Sequence, residues 1–370
     1  MATSRRRRSL VLTLTHECNL SCTYCYEKHK DQRRMPLEVA QQAITKYFAN
    51  TSLDDEVEIH FHGGEPFIAG ELLQQVCEWT WAQTWQVPFI CFATTNGTLI
   101  SGAIKAWAEK NRKRLYLGLS LDGTREMHNL NRSNSFDLID TDYFLKNWPD
   151  QPVKMTVSEN SLYHLAEGMT YLHMRGFQIM SNFSYGTDWS AHKNIDELTR
   201  QLHKLVDFYL EHPEYAPCEF LDMPIELINS TATVPSKWCG VGTDMVAVDV
   251  DGKEYPCHLF LPLASGRDIQ ADLSIDWNDA VALQDARCQN CVITKICPTC
   301  YGANMIENRH PALRDPNLCV LTKVRALASS YFQASLLTKP QTPVPENMGD
   351  AATAFEKIRA IDAIQAGLTF

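Results

Sequence analysis

No apolar run in the 370-residue chain approaches the roughly 20 residues that a membrane-spanning helix requires. The N-terminus also lacks the apolar stretch and small-residue cleavage site of a secretory signal. An excess of basic charge is missing too. At a formal net charge of −10, nothing global attracts nucleic acid or an anionic bilayer. These absences place the chain in a reducing cytoplasm, with neither nucleic acid nor membrane as partner. Disulfides are not expected there, yet thirteen cysteines are present, and their clustering points to metal. Cys77 and Cys91 read as core packing, while Cys218 has no evident assignment. The basic run Arg5 to Arg8 reads as a solvated arm, or more sharply as a contact for an acidic peptide.

The stretch from Ser9 to Glu27 organises the rest. Residues 10–15 alternate as a buried strand does, and the following loop carries Cys18, Cys22 and Cys25 in C-x3-C-x2-C spacing. Three thiolates on one short loop can hold three irons of a cubane cluster and leave the fourth free to chelate a small molecule. Zinc normally takes four ligands, and no fourth is evident here. This arrangement resembles the radical S-adenosylmethionine (radical SAM) superfamily. The resemblance implies that the open iron grips the amino and carboxylate groups of SAM, and that electron transfer cleaves it to a 5′-deoxyadenosyl radical.

Strand-like segments at 10–15, 57–62, 89–95, 115–121, 153–157 and 178–183 alternate with helical ones, 36–48, 72–84, 103–110, 140–147, 162–174 and 195–210. Six β/α repeats predict an α/β fold, a partial (β/α)6 TIM barrel over residues 1–222, with ligands at the C-terminal strand ends. Motifs fall at those ends. Gly63-Gly64-Glu65-Pro66 follows the second strand: the glycines allow close backbone approach, and the carboxylate can pair with an ammonium. Thr95 and Asn96 follow the third strand. Ser120 and Asp122 follow the fourth on one side of an extended chain, suiting ribose hydroxyls, and Arg132 could meet a carboxylate or equally make a surface ion pair. The Gly-Gly-Glu-Pro and Ser120/Asp122 patterns resemble the superfamily's SAM contacts.

Near Asp222 the alternation stops. An Asp251-Gly252 hairpin signal lies between Cys239 and Cys257, followed by Cys288, Cys291, Cys297, Cys300 and Cys319. Alone, C-x2-C-x5-C-x2-C could be a zinc knuckle. The full order resembles the SPASM extension of radical SAM peptide-modifying enzymes, over residues 223–337. It implies two auxiliary [4Fe–4S] clusters, three in all. Cys288, Cys291, Cys297 and Cys319 would complete one, and Cys239, Cys257 and Cys300 would hold the other. The family's usual C-x3-C is Cys297-Pro-Thr-Cys300 here, and the second set lacks a fourth cysteine. Cys218, Asp244, another oxygen ligand or an open iron would fill that place. Residues 338–370 read as a Pro-rich linker and an amphipathic helix.

The segment Gly118 to Arg132 is similar to anaerobic sulfatase-maturating enzymes. Those enzymes commonly carry tyrosine, glutamine and aspartate where this chain has Glu27, His62 and His258. These three are the candidate catalytic residues, and His258 preserves base chemistry near neutral pH. The expected function is a peptide or protein maturase that abstracts hydrogen from a C–H bond to give a cross-link, thioether or oxidised side chain. An electron donor such as flavodoxin or ferredoxin is implied. No peptide-recognition domain is expected ahead of the first strand. A formylglycine-forming sulfatase maturase and a non-enzymatic zinc-binding adaptor are the alternatives.

Overall fold

The computed structural model describes residues 5–229, 237–270, 273 and 275–338. The expected Pro-rich linker and C-terminal helix lie outside them. Two compact units divide the chain. The first holds Met1–Met155, Gly176–Gln178 and Cys239–Asp279; the second holds Thr156–Arg175, Ile179–Trp238 and Ala280–Phe370. The hairpin region thus groups with the first unit, whereas the expected domain boundary fell near 222.

Strand β1 (Arg6–Thr15) leads through α1 (Leu37–Ala49) to β2 (Asp55–Gly63), and α2 (Gly70–Ala82) leads to β3 (Phe89–Thr95). Helix α3 (Gly102–Lys110) precedes β4 (Leu115–Leu119), and α4 (Arg125–Asn131) and α5 (Thr141–Asn147) precede β5 (Val153–Val157). Then come α6 (Leu165–Met174), β6 (Ile179–Phe183) and α7 (His192–Glu211). The six expected β/α repeats are present, the first four strands side by side in the parallel sheet of the first unit as a partial barrel requires. A parallel bridge from Ser120 to Lys154 continues β4 into β5, and β5 forms a two-stranded sheet with β6.

Two elements depart from expectation. Strand β1 starts four residues early, at Arg6, because the acidic start of β2 and nearby acids neutralise the arginines. Arg7 Nε lies 2.7 Å from Glu56, Arg8 Nη1 lies 3.8 Å from Asp55, and Arg6 pairs with Asp244. The run is therefore a strand edge engaged within the molecule rather than a free arm. The short helix α4 was not anticipated; its N-cap is Thr124, whose hydroxyl accepts the Met127 N–H.

The hairpin β7 (Met245–Val248) and β8 (Glu254–Tyr255) forms with Gly252 at φ +87°, as its sequence signal required. It joins the barrel sheet. The order is β4-β3-β2-β1-β7-β8, with β7 parallel to β1 and Leu10 beside Val246. Apolar β7 covers the edge that β1 would otherwise expose. The one-turn helix α8 (Pro262–Ser265) follows, then α9 (Tyr301–Asn308) and α10 (Pro316–Thr338) in the second unit. There α10 packs on α7, and Met223, Ile225, Ile228, Ile293, Ile296 and Ala326 form an apolar cluster beneath the cysteine-rich loops. Among the described residues no helix is long and apolar enough to cross a membrane.

Alternation along β2 creates the interior. Val57, Ile59 and Phe61 are fully buried on one face, while Glu58, His60 and His62 keep partial exposure on the other.

Candidate active site

The cysteine loop is seated on the Gly-Gly turn. Gly64 N–H donates to Thr15 O at 3.1 Å, and Glu65 N–H donates to Glu17 O at 2.8 Å. A Cβ at Gly64 would fall 2.3 Å from Glu17 O and 2.9 Å from Cys18 Cβ. Gly63, at φ +146°, would clash with Thr15 O at 2.3 Å. These glycines therefore let the loop itself approach, which the sequence reading had assigned to a ligand. Further bonds fix the loop: Thr23 N–H to Asn131 O at 2.9 Å, and Asn96 Nδ2 to Asn19 Oδ1 at 2.9 Å.

Cys18, Cys22 and Cys25 are half-buried on this loop, and Lys30 Nζ donates to Cys25 Sγ at 3.3 Å. Burial pushes the Cys18 thiol up to about 11 and raises Cys22 as well. Three enclosed sulfurs with one ammonium against them form a donor set that iron would convert to thiolates, so the residues fit a three-cysteine cluster site.

Glu65 accepts from Thr95 Oγ1 at 2.8 Å, from Asn96 N–H at 2.8 Å and from Phe67 N–H at 3.2 Å. Burial lifts its carboxyl to about 7 despite these donors. Thr95 and Asn96 thus hold Glu65. Asp122 is fully buried and receives Arg132 Nε at 2.9 Å, Arg132 Nη2 at 3.1 Å and the Tyr24 hydroxyl at 2.6 Å. The guanidinium expected to meet a carboxylate of SAM is thus tied to Asp122, and Ser120 donates its backbone N–H to Thr95 O at 2.8 Å.

Glu27, His62 and His258, distant in sequence, come together. His62 Nε2 lies 2.9 Å from Glu27 Oε1 and 3.4 Å from the Tyr26 hydroxyl. The His62 and His258 rings are 5.0 Å apart. His258 Nδ1 is buried without a hydrogen-bond partner, and burial, then His62, holds this imidazole down at about 3. The sequence reading missed Tyr26, His60 and Lys154. His60, whose ring is 5.7 Å from that of His62, could have been found from its place two residues before it.

In the second unit, Cys288, Cys291, Cys297 and Cys319 line one pocket with Arg314 and Asp315. Cys300 lines a neighbouring one with Pro298 and Arg325. Cys239, exposed, and Cys257, buried, belong to the first unit, where Gly242 N–H donates to Pro256 O at 3.2 Å. Asp244 is paired with Arg6, and Cys218 is buried beside Tyr209, its thiol pushed up to about 11 by burial. Cys77 and Cys91 are fully buried, as core packing requires. Among the described residues no three His, Cys, Asp or Glu gather closely enough to chelate a single ion.

Residues 12–140 match the Radical SAM superfamily. That segment is a radical SAM domain. The chain is 24% identical to a cysteine-type anaerobic sulfatase-maturating enzyme of Clostridium perfringens, over 68% of this chain and 74% of that one. It is also 24% identical to the antilisterial bacteriocin subtilosin biosynthesis protein AlbA of Bacillus subtilis, over 67% of this chain and 54% of AlbA. The solved structure of native anSMEcpe with bound AdoMet and a Cp18Cys peptide shares the fold. Its TM-score is 0.68 at 20% identity, covering 88% of this chain and 97% of that one.

Proposed function

We propose that this radical SAM enzyme is a maturase of peptides or proteins, which removes hydrogen from a substrate C–H bond and leaves a cross-link, thioether or oxidised side chain. The convergence of Glu27, His62 and His258 inside a barrel whose cysteine loop fits a cluster carries the reading. Relatives with peptide and protein substrates in their names support it. When bound, a [4Fe–4S] cluster and SAM supply the hydrogen-abstracting chemistry. Cys18, Cys22 and Cys25 hold the cluster, and Glu65, oriented by Thr95 and Asn96, takes the ammonium of SAM. Ser120 and the Asp122–Arg132 pair border that site.

The residues at the centre handle the proton. His258 Nδ1 has no partner in the protein, so a substrate proton is the hydrogen bond it lacks. Glu27 orients His62, which flanks His258 and widens the polar wall around the reacting carbon. Cys288, Cys291, Cys297 and Cys319 are proposed to hold one auxiliary cluster, supported by their shared pocket. A second, from Cys239, Cys257 and Cys300, rests on the SPASM pattern alone. Flavodoxin or ferredoxin is the proposed donor, and the cytoplasm the proposed location.

Substituting His258→Gln should leave SAM cleavage intact while product from the cognate peptide falls at least about a hundredfold, within the range of acid–base catalysis. Undiminished product would remove His258 from the reaction. The sulfatase-maturating alternative has a direct readout: a cysteine or serine of a sulfatase peptide converted to formylglycine, seen by mass spectrometry.

A further inference from the structure

We infer that Lys154 receives a carboxylate of the substrate inside the barrel of the first unit. This deepens the maturase reading and rests on it. Val153, Met155 and Val157 of β5 are buried in the core, so Lys154 points to the opposite, inward face. Its side chain passes over Gly118. A Cβ there would lie 2.8 Å from Phe92 Cζ and 3.6 Å from Lys154 Cε, so the glycine preserves room at this level. The ammonium stands 5.5 Å from the centre of the Phe92 ring.

Lys154 is half-buried, yet among the described residues it forms no hydrogen bond or ion pair beyond its backbone. The nearest carboxylate that acts on it, Glu58, lies 3.9 Å from Arg7 instead. Its other titratable neighbours, His60 and His258, are imidazoles that offer it no negative charge, and burial makes Lys154 itself less basic. A half-buried ammonium with three donors and no protein acceptor gains when a partner of opposite charge arrives. The cation–π contact with Phe92 offsets a part only. For a peptide, the matching acceptor is a carboxylate, from either an acidic side chain or the C-terminus. A lysine kept only for packing would be better served here by an apolar side chain against Phe92.

The test uses the full-length, cluster-reconstituted protein and ligand-observed NMR. N-acetylglutamate amide probes the side-chain source and N-acetylalanine the C-terminal source, each against its carboxamide counterpart. One acid should bind about tenfold more tightly than its amide, the size of one charge-assisted hydrogen bond. The acid that does so identifies the source. Lys154→Met should erase the preference, and Lys154→Gln gives the same comparison if Met disturbs packing. Equal binding of acids and amides by the unsubstituted protein, or a preference that survives both substitutions, would overturn the inference. Release of 5′-deoxyadenosine from SAM is measured in the same preparations. Its absence from the unsubstituted protein refutes the radical reading, whereas its presence without an acid preference refutes only the carboxylate site.

Discussion

His16 Nε2 lies 2.7 Å from Asp249 Oδ1, with both side chains fully buried. The contact joins the end of β1, two residues before Cys18, to the turn of the β7–β8 hairpin that leads to Cys257 and His258. Removing one partner of a buried pair strands the other. Asp249→Ala should therefore lower stability by about 3 kcal/mol in urea denaturation. A loss below about 1 kcal/mol would show that the clasp is not structural.

Gly64 makes a separate prediction. A methyl group there meets Glu17 O and Cys18 Cβ, so Gly64→Ala should displace the cysteine loop while leaving the rest of the sheet formed. Iron and sulfide analysis with circular dichroism checks both halves. A full iron complement in this variant would contradict the packing argument.

The cysteines should separate into two classes. Replacing Cys18, Cys22 or Cys25 by Ala should abolish SAM cleavage. Replacing Cys288 or Cys300 should spare cleavage and stop product formation. Chromatography of 5′-deoxyadenosine beside mass spectrometry of the peptide distinguishes them.

Glu65 predicts a pH dependence. Burial lifts its carboxyl from 4.5 to about 7, so the folded protein keeps a proton that the unfolded chain releases. Its contribution to stability is greatest below 4.5 and weakens as pH rises through 7. An arriving ammonium favours the ionised form. Binding of SAM near pH 6 should then expel a proton, seen by calorimetry in buffers of differing protonation enthalpy. Glu65→Gln should remove that proton release.

Arg314 bears on the second unit. Its Nε and Nη1 are buried without hydrogen-bond partners, beside the four-cysteine pocket. A cation there stabilises the more negative, reduced state of a cluster. Arg314→Gln should lower the reduction potential in a spectroscopic redox titration, and an unchanged potential would place the cluster elsewhere.

Much of this was legible in the chain. The alternation of β2, and the helices between strands, follow from apolar periodicity that the barrel satisfies locally. The three-cysteine loop and the Gly-Gly-Glu turn are contiguous motifs, so their meeting needed only adjacent parallel strands. Helix α4 escaped because Arg-Glu-Met-His-Asn-Leu-Asn is short and mostly polar, and Thr124 capping decides it. The pairing of β7 with β1 escaped because periodicity carries no record of which distant strand a segment joins. Asp122 and Arg132 stand nine intervening residues apart, and the ion pair they make is buried, where the sequence offers either a ligand contact or a surface pair for Arg132. Lys154 gave no signal, since only the curvature of the sheet makes its face an interior.

The placement of β7 against β1 bears on how such enzymes can be dismantled. A chain cut after residue 222 would retain all six β/α repeats and still be incomplete, because Leu10, Val11 and Leu12 would lose the backbone neighbour beside them. Their unpaired amides would then invite intermolecular pairing, and the shortened protein should precipitate rather than fold as a free-standing catalyst. Recombination between homologues would succeed where the crossover carries residues 239–279 together with the first strand, and fail where it divides them.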